Sequence, residues 1–311
     1  LDGEMERDDK LILFVEDVEI SLFGDTKGLV DKYGSDRIRN TPISETVMSG
    51  MAVGAAAAGF RVICHMMFGN FMYTGFDSIA NQASKLRYMT AGQISLPIVY
   101  MSVFGGGRSA AAQHSDAMHP LFMNLGGIKV VTPSSPMDAA GLLRASIRDP
   151  NPVVYLQAAG RGGELGELPD EEFVIELGRA NTLRSGEDLT MVAIGAMVRP
   201  ALRSVDFQRN NGVSIELIDP RTLVPLDKET IYKSVRKTGR LIIVDEARDN
   251  CSAASHIAAL CAEECFSALK APIKRVTVND IAIPYSPPLE KNILPNEERI
   301  NNTVSEVLSF A

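Results

Sequence analysis

Two kinds of hydrophobic pattern alternate along the chain. Short uninterrupted apolar runs occur at Leu11–Val15, Arg61–Phe68, Leu96–Val103, Lys129–Thr132 and Pro152–Leu156. Continuous rather than alternating apolarity predicts parallel strands buried on both faces. Helical patterns separate them. Thr41-Pro42 places an N-cap residue before a proline at the first helical position, and leads into a helix over Ile43–Ala58. Asp77 opens a helix over Ser78–Met89. Ser135-Pro136 opens another over Met137–Arg148, with Asp138 beside the positive end of the helix dipole. A Gly- and acid-rich break, Gly160–Glu172, precedes a second series. There Leu189–Ile194, Val213–Ile218, Arg240–Val244 and Ile273–Val278 read as strands, with helices near 199–209, 228–236 and 253–268. Strands alternating with helices predict the α/β class. Two open, mostly parallel sheet domains with helices on both faces are expected. They are residues 1–187, including a linker at about 160–187, and residues 188–311.

Composition agrees and narrows the function classes. At about 150 residues per domain, 311 residues make two domains. With 31 Lys and Arg against 39 Asp and Glu, the net charge is −8, which argues against nucleic acid or an anionic membrane as a partner. A 45% hydrophobic and 23% charged content is that of an ordinary soluble globular protein. No apolar run approaches the roughly 20 residues of a bilayer span; the stretch Gly50–Gly59 is too short and too poor in large side chains. Cys64, Cys251, Cys261 and Cys265 fit neither a disulfide framework nor a zinc signature, so a reducing compartment is expected. No basic n-region is visible near Leu1. The expected location is the cytoplasm, or the mitochondrial matrix where a transit peptide has been trimmed.

Catalytic motifs are conspicuous mainly by absence: there is no P-loop, no GxGxxG after a strand, no GxSxG elbow and no HExxH. Gly105-Gly106-Gly107 follows a strand, and reads either as a flexible turn beside a site or as a phosphate cradle, the turn being favoured. Glu45 falls in the first turn of its helix, where the dipole alone would favour a carboxylate by about 0.3–1 kcal/mol. The rest of that helix, however, is Val47, Met51 and small residues from Gly50 to Gly59, with almost no polar face. It is expected to be buried nearly all round and closely approached by other backbone, as at a subunit interface. A carboxylate at the mouth of such a helix tends toward a raised pKa and a specific partner. His114 lies after the Gly-rich turn, before a helix expected to be capped by Ser115 or Asp116. A histidine there is more often structural, but the C-terminal end of a strand in an open α/β sheet is where ligands gather. The residues alone support an enzyme with a Glu and a His.

Several ordered segments resemble one family. They are Phe14-Val15-Glu16-Asp17-Val18, Thr41-Pro42-Ile43-Ser44-Glu45, Ser84-Lys85-Leu86-Arg87-Tyr88, Ala112-Gln113-His114-Ser115 and Ile147-Arg148-Asp149-Pro150-Asn151-Pro152 in the first half. Asp219-Pro220-Arg221-Thr222-Leu223, Val244-Asp245-Glu246-Ala247 and Pro284-Tyr285-Ser286-Pro287-Pro288-Leu289-Glu290 follow in the second. The chain is thereby similar, over nearly its whole length, to the β subunit of thiamine-diphosphate-dependent 2-oxoacid dehydrogenases of the pyruvate, branched-chain or acetoin type, within the transketolase-like superfamily. The resemblance implies a pyrimidine-binding domain followed by a transketolase C-terminal-like domain. It implies an α subunit as partner in an α2β2 heterotetramer, that subunit holding Mg²⁺ and the diphosphate. By the same resemblance Glu45 hydrogen-bonds the cofactor's pyrimidine nitrogen, Phe71 packs on the pyrimidine ring and Glu16 is a second acid near the site. His114 lies at the thiazolium side. Ile98, Ile147, Asp149 and Asn151 fall where some members bind potassium.

Four departures bear on the substrate. The segment Glu19–Lys27 is shorter than the family's loop, His65 stands where an acid is common, Asp116 follows His-Ser in place of a neutral residue, and Gln157-Ala158-Ala159 replaces a larger segment. His65 reads either as a core or interface histidine, which is favoured, or as a polar addition to the pocket. Asp116 would raise the pKa of His114 if the side chains face each other. The expected activity is decarboxylation of a small 2-oxoacid and acyl transfer to a lipoyl-bearing acyltransferase. The rivals are a thiamine-dependent carboligase and a non-catalytic assembly paralogue.

Overall fold

The structure is a computed structural model, and it describes residues 1–310 except Glu19, Ile20, Leu22 and Gly162. The part of the Glu19–Lys27 expectation that rests on Glu19, Ile20 and Leu22 lies outside the described residues. The chain forms two compact units. The first comprises Leu1–Phe104, Leu121–Gln157 and Arg161–Leu177; the second comprises Gly105–Pro120, Ala158–Gly160 and Gly178–Ala311.

The first unit carries β1 (Leu11–Val15), β2 (Ile38–Asn40), β3 (Arg61–Phe68), β4 (Ile98–Phe104), β5 (Lys129–Val131) and β6 (Val153–Ala158). They are ordered β5-β6-β4-β3-β1-β2. β1 pairs in parallel with both β2 and β3, Leu13 standing opposite Ile38 on one side and Ile63 on the other. Every residue of β1 is buried, as is the centre of β3. The continuous apolar runs are therefore strands covered on both faces. Leu11, Leu13, Ile63, Val99, Leu142 and Tyr155 form the core, and the buried Tyr155 hydroxyl donates to the Ala139 carbonyl oxygen at 2.8 Å.

The expected helix ends shift where the backbone has another partner. Thr41 does not cap a helix: its N–H donates to the Val15 carbonyl at 3.0 Å, and its hydroxyl faces Met48 Sδ at 3.1 Å. The helix starts later, at Glu45, and runs to Ala57 with Ser44 as N-cap. Ser78–Ala83 is a π-helical stretch leading into the α-helix Ser84–Met89, so the expected single helix has a wide turn in its first half. Ser135 caps Pro136–Arg148 as expected, its hydroxyl accepting the Asp138 N–H at 3.1 Å. The helix Glu45–Ala57 buries one face within this chain, and the rest of the burial expected of it would have to come from a partner subunit. Met48, Ser49, Ala52, Val53 and Ala56 are buried, but Val47 and Met51 are exposed within this chain, as is Ile43 just before the helix.

The second unit carries β7 (Asn181–Arg184), β8 (Leu189–Ala193), β9 (Ile215–Asp219), β10 (Thr222–Val224), β11 (Leu241–Arg248) and β12 (Lys274–Val278). The sheet order is β12-β11-β8-β9-β7. β8, β9, β11 and β12 are parallel neighbours, and only β7 runs antiparallel, against β9. Helices Val198–Asn210, Lys228–Thr238, Ala253–Glu264 and Glu297–Leu308 complete the layers. The helix expected over 253–268 ends at Glu264 and is followed by the 3-10 turn Phe266–Ala268. Among the described residues no helix is long and apolar enough to cross a membrane.

Candidate active site

Two acids meet in the first unit. Glu16 leaves the C-terminal end of β1 and is 5% exposed. Glu45 opens the helix Glu45–Ala57, half-buried, and its Oε2 accepts from the Thr74 hydroxyl at 3.4 Å. Burial pushes the Glu16 carboxyl up, and the Glu45 carboxylate pushes it further; the Ser44 N–H and His65 pull the other way without cancelling the rise. Oε1 of Glu16 is buried with no hydrogen-bond partner among the described residues. A buried carboxyl oxygen without a donor costs about 1–3 kcal/mol. The position therefore suits a ligand carrying an N–H or an amino group. Close packing fixes the helix start: a Cβ on Gly75 would lie 2.5 Å from Ser49 Oγ and 2.9 Å from the Glu45 carbonyl oxygen.

Beside the acids stands an aromatic wall. Phe71, half-buried in the turn Gly69–Tyr73, meets Phe68 edge-on at 5.6 Å; Phe68 meets Phe23 at 5.4 Å; and Phe23 stacks on His65 at 6.1 Å. His65 is 2% exposed and lies 2.9 Å from Asp25 Oδ2 through Nε2. The Met67 N–H donates to its Nδ1 at 3.3 Å, which assigns the Nε2 proton to the Asp25 bond. Burial pushes the Asp25 carboxyl up, but the hydrogen bond from His65, with those of the Asp25 and Thr26 amides, holds the group below its ordinary value. His65 is thus a buried, partnered histidine, and Asp25 is a site-side residue that sequence reasoning missed.

Ile147, Asp149 and Asn151 come together, but around protein cations. The Ile147 carbonyl accepts from Arg61 Nη1, and Asp149 Oδ2 pairs with Lys129 Nζ. Asp149 Oδ1 accepts both nitrogens of Asn151 at 2.9 Å, and Asn151 Oδ1 accepts from Arg87 at 2.6 Å. Ile98 begins β4 and is fully buried. Among the described residues no cluster of three or more His, Cys, Asp or Glu could hold a metal ion.

His114 belongs to the second unit, where it ends the 3-10 turn Ala112–His114. The next helix starts at His119, so neither Ser115 nor Asp116 caps it. Asp116 instead pairs with Arg248, Oδ1 to Nη2, at 2.9 Å, which directs its carboxylate to a guanidinium. The preceding Gly-rich turn is no phosphate cradle, because its amides already have acceptors. The Gly106 N–H donates to Glu246 Oε2 at 3.1 Å and the Gly107 N–H to Glu290 Oε1 at 2.8 Å. Gly105, at φ +87°, must be glycine: a Cβ would fall within 2.2 Å of the Glu246 carboxylate. Glu246 is buried, and burial pushes its carboxyl up to about 8 against the pull of the Gly106 N–H. Next to it, Asp245 faces His119, Oδ1 to Nε2, at 3.0 Å, both fully buried. Burial raises the Asp245 carboxyl, but the charge and hydrogen bond of His119 and the Ala247 and Ala254 amides bring it below its ordinary value. A signal for these acids existed: Asp245-Glu246 closes an apolar strand run, where carboxyls persist only with dedicated partners.

Comparison with known proteins matches both units. The family described as transketolase, pyrimidine binding domain, covers residues 1–157, and transketolase, C-terminal domain, covers residues 178–300. The β subunit of acetoin:2,6-dichlorophenolindophenol oxidoreductase from Bacillus subtilis (strain 168) is 41% identical, over 98% of this chain and 93% of that protein. The β subunit of the pyruvate dehydrogenase E1 component from the same organism is 38% identical, over 99% and 95%. Among solved structures, a split-gene transketolase in an inactive β4 tetramer superposes with a TM-score of 0.80 at 22% identity, covering 99% of this chain and 95% of that one, which shows a shared fold. The chain belongs to the transketolase-like family of thiamine-diphosphate-dependent 2-oxoacid dehydrogenase β subunits.

Proposed function

We propose that this chain is the β subunit of a heterotetrameric α2β2 enzyme that decarboxylates a small 2-oxoacid and hands the acyl group to a lipoyl domain. When bound, thiamine diphosphate would supply a carbon nucleophile and an electron sink for the decarboxylation. This chain's residues would hold the pyrimidine half. Glu45 holds and exchanges a proton at the ring nitrogen, Phe71 packs on the ring, and Glu16 offers its buried Oε1 to a donor of the cofactor. His114 serves protons at the reacting end. Mg²⁺ and the diphosphate fall to the α subunit. Ile98, Ile147, Asp149 and Asn151 would be the positions for potassium, with Arg61 on the Ile147 carbonyl and Lys129 on Asp149 as the protein cations already there. The exposed apolar stripe of Ile43, Val47 and Met51, on and just before the helix that carries Glu45, supports a partner chain close to the cofactor. The observation that carries the reading is the half-buried Glu45 carboxylate beside a buried Glu16 oxygen that has no donor among the described residues.

Co-expression with the α subunit and replacement of Glu45 by Gln tests it. Turnover should fall by about two orders of magnitude or more, because a proton-transfer group is removed; near-normal turnover would sink the assignment. A second reading comes from the acetoin-acting relative at 41% identity: cleavage of a 2-hydroxyketone on the same cofactor. Offering pyruvate, a branched-chain 2-oxoacid and acetoin in parallel, with lipoyl domain or a dye as acceptor, separates the two by product.

A further inference from the structure

From the end of β4 into the first residues of the helix His119–Met123 the backbone makes one excursion, Gly105–Pro120, within the second unit. Its polar groups are taken up by side chains far along the chain. Glu290, on the helix Pro287–Ile293, accepts three hydrogen bonds: Gly107 N–H to Oε1 at 2.8 Å, Ser109 N–H to Oε2 at 2.9 Å and the Ser109 hydroxyl to Oε2 at 3.1 Å. Glu246 takes the Gly106 N–H. The Gly105 N–H donates to the Asp116 carbonyl at 3.1 Å, closing the excursion on itself, and the Asp116 carboxylate is pinned by Arg248. Arg248 is itself held, its Nε donating to the Ile281 carbonyl at 3.1 Å.

The segment so held is strained next to the histidine. Ser109 has φ 53°, and Ala111 has φ 62° with ψ −178°, a region that essentially only glycine enters freely. Such backbone persists only where its surroundings over-determine it. Ala111 accepts the His114 N–H at 3.2 Å, so the strained residue is also what sets the turn carrying the imidazole.

We propose that Glu290 is the positioning residue for His114, with Glu246 and Arg248 in support: its two oxygens hold the Gly107 and Ser109 amides and keep the strained turn in the one shape that presents the imidazole. This rests on the proposed function of His114. Aspartate would be about 1.5 Å short. Glutamine can replace only one of the two acceptor oxygens, and turns an NH₂ donor on the other N–H. The absence of a Cβ on Gly106, which would sit 3.0 Å from the Leu294 methyls, lets the loop lie against this helix.

The test uses the α/β complex with Glu290→Gln, Glu290→Ala and the exposed control Glu263→Gln. Amide hydrogen exchange is followed in peptides spanning 105–114, and kcat and KM in steady state. Glu290→Ala should speed exchange of the loop amides about 10-fold or more and lower kcat about 10- to 100-fold with KM nearly unchanged, since misplacement by about 1 Å costs on that order. Glu290→Gln should fall between, and Glu263→Gln should match the parent in both. A purely structural role would lower yield or melting temperature but leave kcat per folded enzyme intact. Unchanged loop exchange, or an opened loop with kcat within about two-fold of the parent, a margin far below the expected loss, overturns the proposal. If Glu290→Ala fails to fold, Glu290→Gln, equal in size, decides by the same two readouts. A parent complex that turns over none of the substrates overturns the proposed function alone; loop exchange then still upholds or overturns the hold by Glu290.

Discussion

Glu246 makes the stability of this protein depend on pH in a direction that can be worked out. Its carboxyl is buried at the end of β11, and burial pushes it from 4.5 up to about 8. In the unfolded chain it gives up its proton near pH 4.5, whereas the fold keeps it protonated. The stability this group contributes is therefore complete below pH 4.5 and is lost as pH rises through about 8. The slope is about 1.4 kcal/mol per pH unit. From pH 4.5 to 7 that amounts to about 3 kcal/mol, and over the whole window to about 5 kcal/mol. Glu246→Gln removes the titration yet keeps an oxygen for the Gly106 N–H. Its stability relative to the parent should therefore rise steadily between pH 5 and 8, by about 4 kcal/mol in all. The assay is urea unfolding at unit steps of pH, read by far-UV circular dichroism because the chain has no Trp. Subtracting the two proteins at each pH cancels the titrating groups that do not interact with Glu246; Asp245, whose charge adds to the rise, is the neighbour that does. A difference that stays flat across pH 5 to 8, or that falls, would refute the reasoning.

Three further outcomes are expected. Asp25→Asn keeps an oxygen facing the buried His65 but removes its charge; it should destabilise by about 1 kcal/mol at pH 7. Because the folded Asp25 pKa is lowered, that difference should fade as pH drops below 3.8, which urea unfolding at pH 7 and pH 3 would show. Gly75→Ala drives a methyl against Ser49 Oγ and the Glu45 carbonyl; calorimetry should record a melting temperature lower by about 2–8 °C. Cys251 is exposed while Cys64, Cys261 and Cys265 are buried free thiols, so a thiol reagent should titrate one equivalent in the native chain and four after unfolding.

How much was legible in the sequence depended on how local the cause was. β3 occupies the very run Arg61–Phe68 read from apolarity, because a parallel strand buried on both faces has no competing pattern. The start of the Glu45 helix was misplaced because Thr41-Pro42 is a good local start signal, and the Thr41 N–H is claimed instead by Val15. Gly105–Gly107 was visible as a special turn, but its acceptors lie 140 and 183 residues away, and no window of sequence contains both ends. The same holds for Asp25, 40 residues from His65. Glu16, Glu45, Phe71 and His114 stood out through family resemblance, since a carboxylate opening a helix has an ordinary explanation of its own. The burial that gives Glu16 its raised pKa comes only with the fold.

The hold on the Gly105–Ser109 amides also orders events during synthesis. Gly107 and its acceptor Glu290 are 183 residues apart. At about 5–20 residues per second a ribosome separates their emergence by roughly 10–40 s. Apolar strands β1, β3 and β4 are complete long before that interval ends, while the turn bearing His114 waits for the last helices. The scaffold that carries Glu45 can thus collapse early, and the His114 turn acquires its shape only when nearly the entire chain has been made.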